Sequence, residues 1–451
     1  MNTQDEKPGS TLRSLLSPFE SFIRDTSIAS LFLFACVICA LVIANSPFAA
    51  TFNHLLETQA SVFVGDFGIR GSLHHWVNDG LMVVFFFLLG LEIKREVLVG
   101  DLKDPRRAVP VAAAALGGML VPAAIYLAFN AGGDYAHGWG IPMATDAAFA
   151  LGVLALLGRD SVPGLAAFLT ALAIVDDMGA VTVIAVFYSD DIALIALVIG
   201  AAILACLVAL NIFGVRHPGF YLAGAIALWI AMLGSGVHTT TAGILAALAV
   251  PARPRKVGHW LTRRIRRLSD AFEQIEERRA AGLSILANKE QHAIIERLES
   301  AAEQASTPLQ RWERVLERPI AYFVLPLFAL MNAGVALNAA TIPRVWSEPV
   351  GLGIMFGLVA GKVIGVVGGT WLAIRLGLGK LPDGMNLRHT VGVGLLGGIG
   401  FTMSIFIASL GLSPGSAALE TAKIAILSAS LLAGTSGYLW LKFACRSADG
   451  A

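Results

Sequence analysis

Charge is scarce in this chain. Of 451 residues only 14% are Asp, Glu, Lys or Arg, against about 25% in ordinary soluble domains. That shortage excludes an extensive water-exposed surface over most of the length. The net charge of +1 leaves no basic field, so no nucleic-acid partner is expected. Cysteine is rare as well. Cys36, Cys39, Cys206 and Cys445 are too few and too scattered for a disulfide framework. Cys36 and Cys39 form a CxxC inside an apolar run, where small residues packed in a helix are a simpler reading than a redox or metal pair. The first 27 residues are polar and include Asp5, Glu6, Glu20 and Asp25. They are expected to form a tail, being too long and too acidic for the n-region of a cleaved signal.

What the chain has in abundance is apolar sequence: 56% of it is hydrophobic, with 47 glycines. Apolar stretches of roughly 17–25 residues fit helices that cross a bilayer. The expected class is therefore an all-α polytopic membrane protein. Spans are expected at 28–47, 76–98, 108–130, 139–158, 162–188, 192–214, 219–235, 237–250, 319–340, 350–374, 389–411 and 418–441, about twelve in all. An even number puts both termini on one side. With the termini inside, 29 of the 33 Lys and Arg fall inside and two, Arg70 and Arg344, outside, while Lys362 and Lys423 lie within spans. The long loop 251–318 supplies 14 of the 29. Without it the bias persists, as the positive-inside rule requires of a cell (inner) membrane protein with cytoplasmic termini. The expected organisation is a cytoplasmic tail 1–27, helices one to eight over 28–250, a cytoplasmic charged loop 251–318, helices nine to twelve over 319–441, and a cytoplasmic tail 442–451.

Three local patterns refine this. In the loop, Leu261, Ile265, Leu268, Phe272 and Ile275 recur at helical spacing beside RRIRR (263–267). A solvated helical hairpin joining two spans is the plainer reading; a basic amphipathic helix on the anionic leaflet is the other. Residues 57–73 alternate apolar positions between turn glycines, which predicts a short outer hairpin. Gly353, Gly357, Gly361, Gly365 and Gly369 repeat every four residues, giving a flat helix face against which another backbone can approach. GVGLLG (392–397) matches GxGxxG but has no strand before it, so a dinucleotide site is rejected.

The few charges inside the spans carry the functional argument. ALAIVDDMGAV (171–181) places Asp176 and Asp177 side by side in an apolar run, and Asp146 and Lys362 sit within other spans. Each mid-span charge costs about 2.5–3.5 kcal/mol on insertion scales. A Lys362–aspartate pair kept for stability alone is a poor bargain, because buried ion pairs are weak stabilisers, and it would leave the second aspartate unexplained. Neighbours on a helix point about 100° apart. One aspartate can thus face Lys362 while the other faces a cavity. Burial and mutual repulsion both disfavour the charged form, so H⁺ and a small hard cation such as Na⁺ or Li⁺ compete for one group. Exposing that group to each side in turn gives cation/proton exchange. Loss of two protons per monovalent cation would make the cycle electrogenic. Pro142 before Asp146, and GLLGGIG (394–400) in span eleven, mark two interrupted helices. Asp146 would answer the positive helix ends and Lys362 the negative ones. Spans three to five and ten to twelve are placed to form an inverted repeat around such a midplane site.

FFFLLGLEIKRE (85–96), IPMATDAAFALGVLALLG (141–158), ALAIVDDMGAV (171–181), SGVHTTTAG (235–243), LPLFALMNAGV (325–335) and GGIGFTMSIFIA (397–408) together resemble the NhaA sodium/proton antiporters, in order, from about residue 25 to 440. The resemblance implies a twelve-helix inverted-repeat fold with two broken, crossing helices and exchange of Na⁺ or Li⁺ for H⁺. It assigns cation and proton binding to Asp177 with Asp176 as partner, and Asp146, Thr145 and Lys362 to the supporting site. It implies a pH response at Glu92, Arg95, Glu96, Glu313 and His238, a dimer formed through the outer hairpin, and no cofactor. The loop before span nine is longer than in compact members of the family. An intramembrane aspartyl protease also needs membrane aspartates, but its GxGD motif is absent. A cation channel would line an open pore with rings of carbonyls or carboxylates, and one buried aspartate pair suits an occluding carrier better.

Overall fold

The computed structural model describes residues 28–64, 67–158, 162–189, 192–253, 259–277, 289–337, 341–382 and 384–446. The tail expected at 1–27, the tip of the outer hairpin, parts of the long loop and residues 447–451 lie outside them.

The described residues are almost entirely helical. Prolines and side-chain caps fix where many helices start. Asp104 accepts from the Arg106 N–H at 3.0 Å, and Pro105 opens the helix Pro105–Asn130 (α4). Thr307 and Gln310 form a capping box at the head of Pro308–Pro319 (α12), and Asn386 with His389 does the same for Leu387–Gly397 (α17). Each supplies acceptors to first-turn N–H groups that no carbonyl reaches.

Helix Ile28–Ala44 (α1) turns through 110° into Ala49–Glu57 (α2), an element that fell between the expected spans. Gln59–Val64 (β1) and Phe67–Ser72 (β2) pair antiparallel with Val64 opposite Phe67, the expected hairpin. A π-helical turn at Trp76–Leu81 leads into Met82–Val99 (α3). After α4, a 3₁₀ stretch Ala136–Met143 is followed by three unwound residues and then Ala147–Ala155 (α5). Next come Pro163–Phe187 (α6), Leu194–Ile212 (α7), Pro218–Leu233 (α8) and Thr240–Ala249 (α9). In the long loop, His259–Glu277 (α10) and Lys289–Ala305 (α11) pack on one another, burying Leu268, Ile294 and Ala301, which is the hairpin reading.

The ninth apolar stretch begins earlier than its hydropathy indicates. Helix α12 is amphipathic and runs through a π turn, Ile320–Val324, into Leu325–Asn332 (α13). Thr341–Ser347 (α14) precedes Pro349–Phe356 (α15), a π turn at Gly357–Gly361, and Lys362–Arg375 (α16). Helix α17 and Phe401–Gly411 (α18) are bent 49° apart at the glycine cluster, and Ala417–Arg446 (α19) closes the fold. GVGLLG (392–397) lies wholly inside α17. Seven of the described helical segments are long and apolar enough to cross a bilayer, and nine are if each bent pair is one crossing. Helices α8 and α9 are apolar but shorter.

The glycine stripe has a clear packing role. Helices α15 and α16 lie along α4, where a methyl group on Gly365 would run into the Gly117 carbonyl and one on Gly369 into that of Ala113. Gly361 meets Pro122, with a Cβ there only 3.0 Å from Pro122 Cα. This approach carries Lys362, at the first position of α16, into contact with α6.

Candidate functional site at two interrupted helices

The two interruptions touch through their backbones. The Asp146 N–H donates to Ile399 O at 2.6 Å, and the Ser404 hydroxyl donates to Ile141 O at 2.8 Å. Asp146 then caps two helices with one carboxylate. Its Oδ1 accepts from the Phe149 N–H at 3.0 Å, in the first turn of α5. Its Oδ2 accepts from the Thr402 N–H at 3.1 Å and from the Thr402 hydroxyl, in the first turn of α18. Two positive helix ends thus meet one negative group. The opposite end, the last carbonyl of α17, is met by Thr145, whose Oγ1 lies 2.8 Å from Gly397 O.

Thr145 links this crossing to the aspartate pair. Its Oγ1 is also 2.7 Å from Asp176 Oδ2, and the same oxygen receives the Lys362 ammonium in an ion pair. A hydroxyl has one proton, so it serves Gly397 O and Asp176 Oδ2 in turn. Lys362 is fully buried, and Asp176, Asp146 and Asp177 are 1%, 2% and 4% exposed. Lys362 therefore pairs with Asp176, and the negative helix end expected to fall to it is met by Thr145 instead.

The pair is asymmetric. Asp176 Oδ2 has two partners, while Oδ1 is buried with no hydrogen bond. Asp177, one position on and rotated about 100° around α6, has neither a hydrogen bond nor an ion pair among the described residues. A bare anionic oxygen beside a bare carboxylate in an apolar surround suits a proton or a small hard cation held through oxygen.

The residues assigned to pH response separate into two places. Arg95 Nε lies 3.4 Å from Glu313 Oε1, an ion-pair distance without hydrogen-bond alignment, and Glu92 sits among the charges of Arg95, Glu313, Glu317 and Glu96. Nearby, Lys94 donates to Leu248 O at 2.6 Å and Val250 O at 2.5 Å, holding the end of α9. His238 is at the other end of α3. Its Nδ1 faces Thr240 Oγ1 at 2.9 Å, and its Nε2 is 3.8 Å from Asp79 Oδ1. Thirteen residues of helix, about 20 Å at 1.5 Å per residue, separate Asp79 from Glu92. Asp79 also binds His75, Oδ2 to Nδ1 at 2.7 Å, and this hydrogen bond raises the proton affinity of His75 above its ordinary value.

Sequence reasoning missed Thr402, the second partner of Asp146. A hydroxyl in the first turn after GGIG was the available signal. Ser430, which accepts from the Phe401 N–H at 3.2 Å, carried none.

Two helices interrupted at mid-length, their ends answered by buried side chains beside a carboxylate pair, are the arrangement expected of a polytopic carrier. Residues 20–441 match the family model described as Na⁺/H⁺ antiporter 1. A protein of Shewanella denitrificans named Na(+)/H(+) antiporter NhaA 1 is 46% identical over 438 residues, spanning 97% of this chain and 96% of its own. One of Pseudoalteromonas atlantica with the same name is 47% identical over 94% of this chain and 90% of its own. One of Sulfurimonas denitrificans named Na(+)/H(+) antiporter NhaA is 43% identical over 96% of this chain and 97% of its own. The chain belongs to the Na⁺/H⁺ antiporter family of secondary transporters.

Proposed function

We propose that the chain exchanges Na⁺ or Li⁺ for H⁺ across the cell inner membrane by alternating access, extruding sodium. Asp177 is the principal site, and the observation that carries this is its bare carboxylate beside a partnered Asp176. When both aspartates are charged, they take the cation through oxygen. When the cation leaves, protons replace it. Lys362 and Thr145 hold Asp176 Oδ2, so its other oxygen is the one free to join Asp177. Release of both protons for one cation makes the exchange electrogenic. Asp146 and Thr402 keep the two helix heads together while the site changes its exposure. No cofactor takes part; Na⁺, Li⁺ and H⁺ are the substrates and the bilayer is the surrounding partner.

The same reading has twelve membrane crossings, with α8, α9 and the charged-ended α3 among them, and an inverted repeat of spans three to five against ten to twelve. It places both termini and the α10–α11 loop in the cytoplasm, joins two copies through the β1–β2 hairpin, and gives pH control to Glu92, Arg95, Glu96 and Glu313 at one end and His238 at the other. Inside-out vesicles acidified by respiration and followed with a pH-sensitive dye test the exchange. Na⁺ or Li⁺ should collapse the gradient in wild type, over a limited pH range. Vesicles indifferent to both ions at every pH would overturn the proposal.

A further inference from the structure

Beside the crossing lies a cavity of 580 Å³ with an almost wholly apolar lining. Its walls come from α1, α5 and α19, with Leu31, Phe34, Leu431 and Leu439 at the outer edge and Phe149 and Phe401 at the floor. An aromatic ladder runs from that edge to the floor. Phe34 meets Phe149 edge-on at 6.3 Å, and Phe149 meets Phe401 at 5.0 Å. Phe401 opens α18, and Ile399, whose carbonyl receives the Asp146 N–H, also lines the space. The inner end of the groove therefore touches the interruption itself.

The outer edge faces the hydrocarbon region, because Leu31, Leu431 and Leu439 are 69%, 62% and 52% exposed. Going along α19 towards the C-terminus, the lining passes Ser430, Gly434 and Tyr438, and one turn further on Lys442 holds its ammonium 5.7 Å from the Tyr438 ring centre. From Ser430 to Lys442 is twelve residues, about 18 Å of helix. One leaflet of a bilayer whose hydrocarbon is about 30 Å thick is about 15 Å deep. A groove that reaches the interruption at one end and has a cation one turn beyond its other end matches the length and charge of one kind of molecule.

We propose that this groove binds an anionic glycerophospholipid from the leaflet on the C-terminal side, one acyl chain lying over the Phe34–Phe149–Phe401 ladder and the phosphate at Lys442. Lys442 has no acidic partner among the described residues, so its charge is available to the phosphate. Gly434 is what leaves room for the chain: a methyl there would make only ordinary contact, 3.4 Å from Ile399 Cδ1, and a larger side chain would project into the space.

The test uses full-length protein in phosphatidylcholine vesicles with a trace of phosphatidylglycerol carrying a diazirine at the end of one acyl chain. After illumination, label in the segments around 399–401 and 427–434 should exceed that on α7, a lipid-facing control, several-fold. Gly434→Phe and Leu431→Trp should each reduce it to the α7 level. Leu431 is an exposed position, so this second variant tests the groove even if the first fails to fold. Lys442→Ala should lower the phosphatidylglycerol label severalfold. Label no stronger than on α7, or label that survives in Leu431→Trp, overturns the site. Equal labelling by a phosphatidylcholine probe, or no change in Lys442→Ala, overturns the anionic headgroup.

Discussion

The crossing at Asp146 and the pair at Asp176–Asp177 hold the same chemical group under opposite conditions. At the crossing both carboxylate oxygens are answered, by two helix heads and a threonine. At the pair one oxygen of Asp176 is answered twice, its other oxygen not at all, and Asp177 has no partner among the described residues. A fully satisfied buried charge fixes a structure, whereas an unsatisfied one is a cost that packing elsewhere offsets. The contrast separates the group that holds the fold from the group that can bind and release.

The largest expected effect comes from Asp177→Asn. Exchange in vesicles should be lost, while the melting temperature stays level or rises, because no protein contact is broken and an isolated buried charge is removed. A large fall in melting temperature would place Asp177 with Asp146, as a structural group. Lys362→Met should cost about 3–5 kcal/mol, the usual result of leaving one member of a buried ion pair alone. Adding Asp176→Leu should recover most of it in a double-variant cycle read by thermal unfolding.

How much of this was legible in the sequence follows from the same contrast. Asp146, Asp176, Asp177 and Lys362 stand out because a charge inside an apolar run has no cheap explanation. The interruptions showed through Pro142 and the 394–400 glycines. Thr402 stayed hidden, because a hydroxyl in an apolar helix usually bonds its own backbone, and its partner is 256 positions away. The start of α12 at Pro308 was obscured because that turn is amphipathic rather than apolar. The three π turns have no marker in composition. The stripe of glycines announced close packing, but its partner, α4, is fixed only by the fold.

Smaller effects sharpen the crossing. Asp146→Ala removes caps from α5 and α18 and should cost about 1–4 kcal/mol, at about 0.5–2 kcal/mol per cap. Asp146→Asn keeps one acceptor oxygen and sets an amide donor against the other helix head, so it should spare one of the two caps and cost less than Asp146→Ala, a difference that chemical unfolding would register. The smallest effect is at His75, whose hydrogen bond to Asp79 raises its proton affinity above the ordinary value of 6.5. The stabilisation is then fully present below pH 6.5 and fades as pH rises through the higher folded-state value. Because the His75 side chain is 44% exposed, solvent screens it and the effect amounts to a few tenths of a kcal/mol. The melting-temperature gap between wild type and His75→Ala should be widest in mildly acidic buffer and close at alkaline pH.

The central claim is that a proton and a sodium ion compete for the same carboxylates. Titrating purified protein with NaCl in a weakly buffered solution, and measuring protons released against a choline chloride control, tests it directly. Wild type should release protons on adding Na⁺ over a limited pH range, and Asp177→Asn should release none. Equal release from both proteins would contradict the account and place the exchange site away from Asp177.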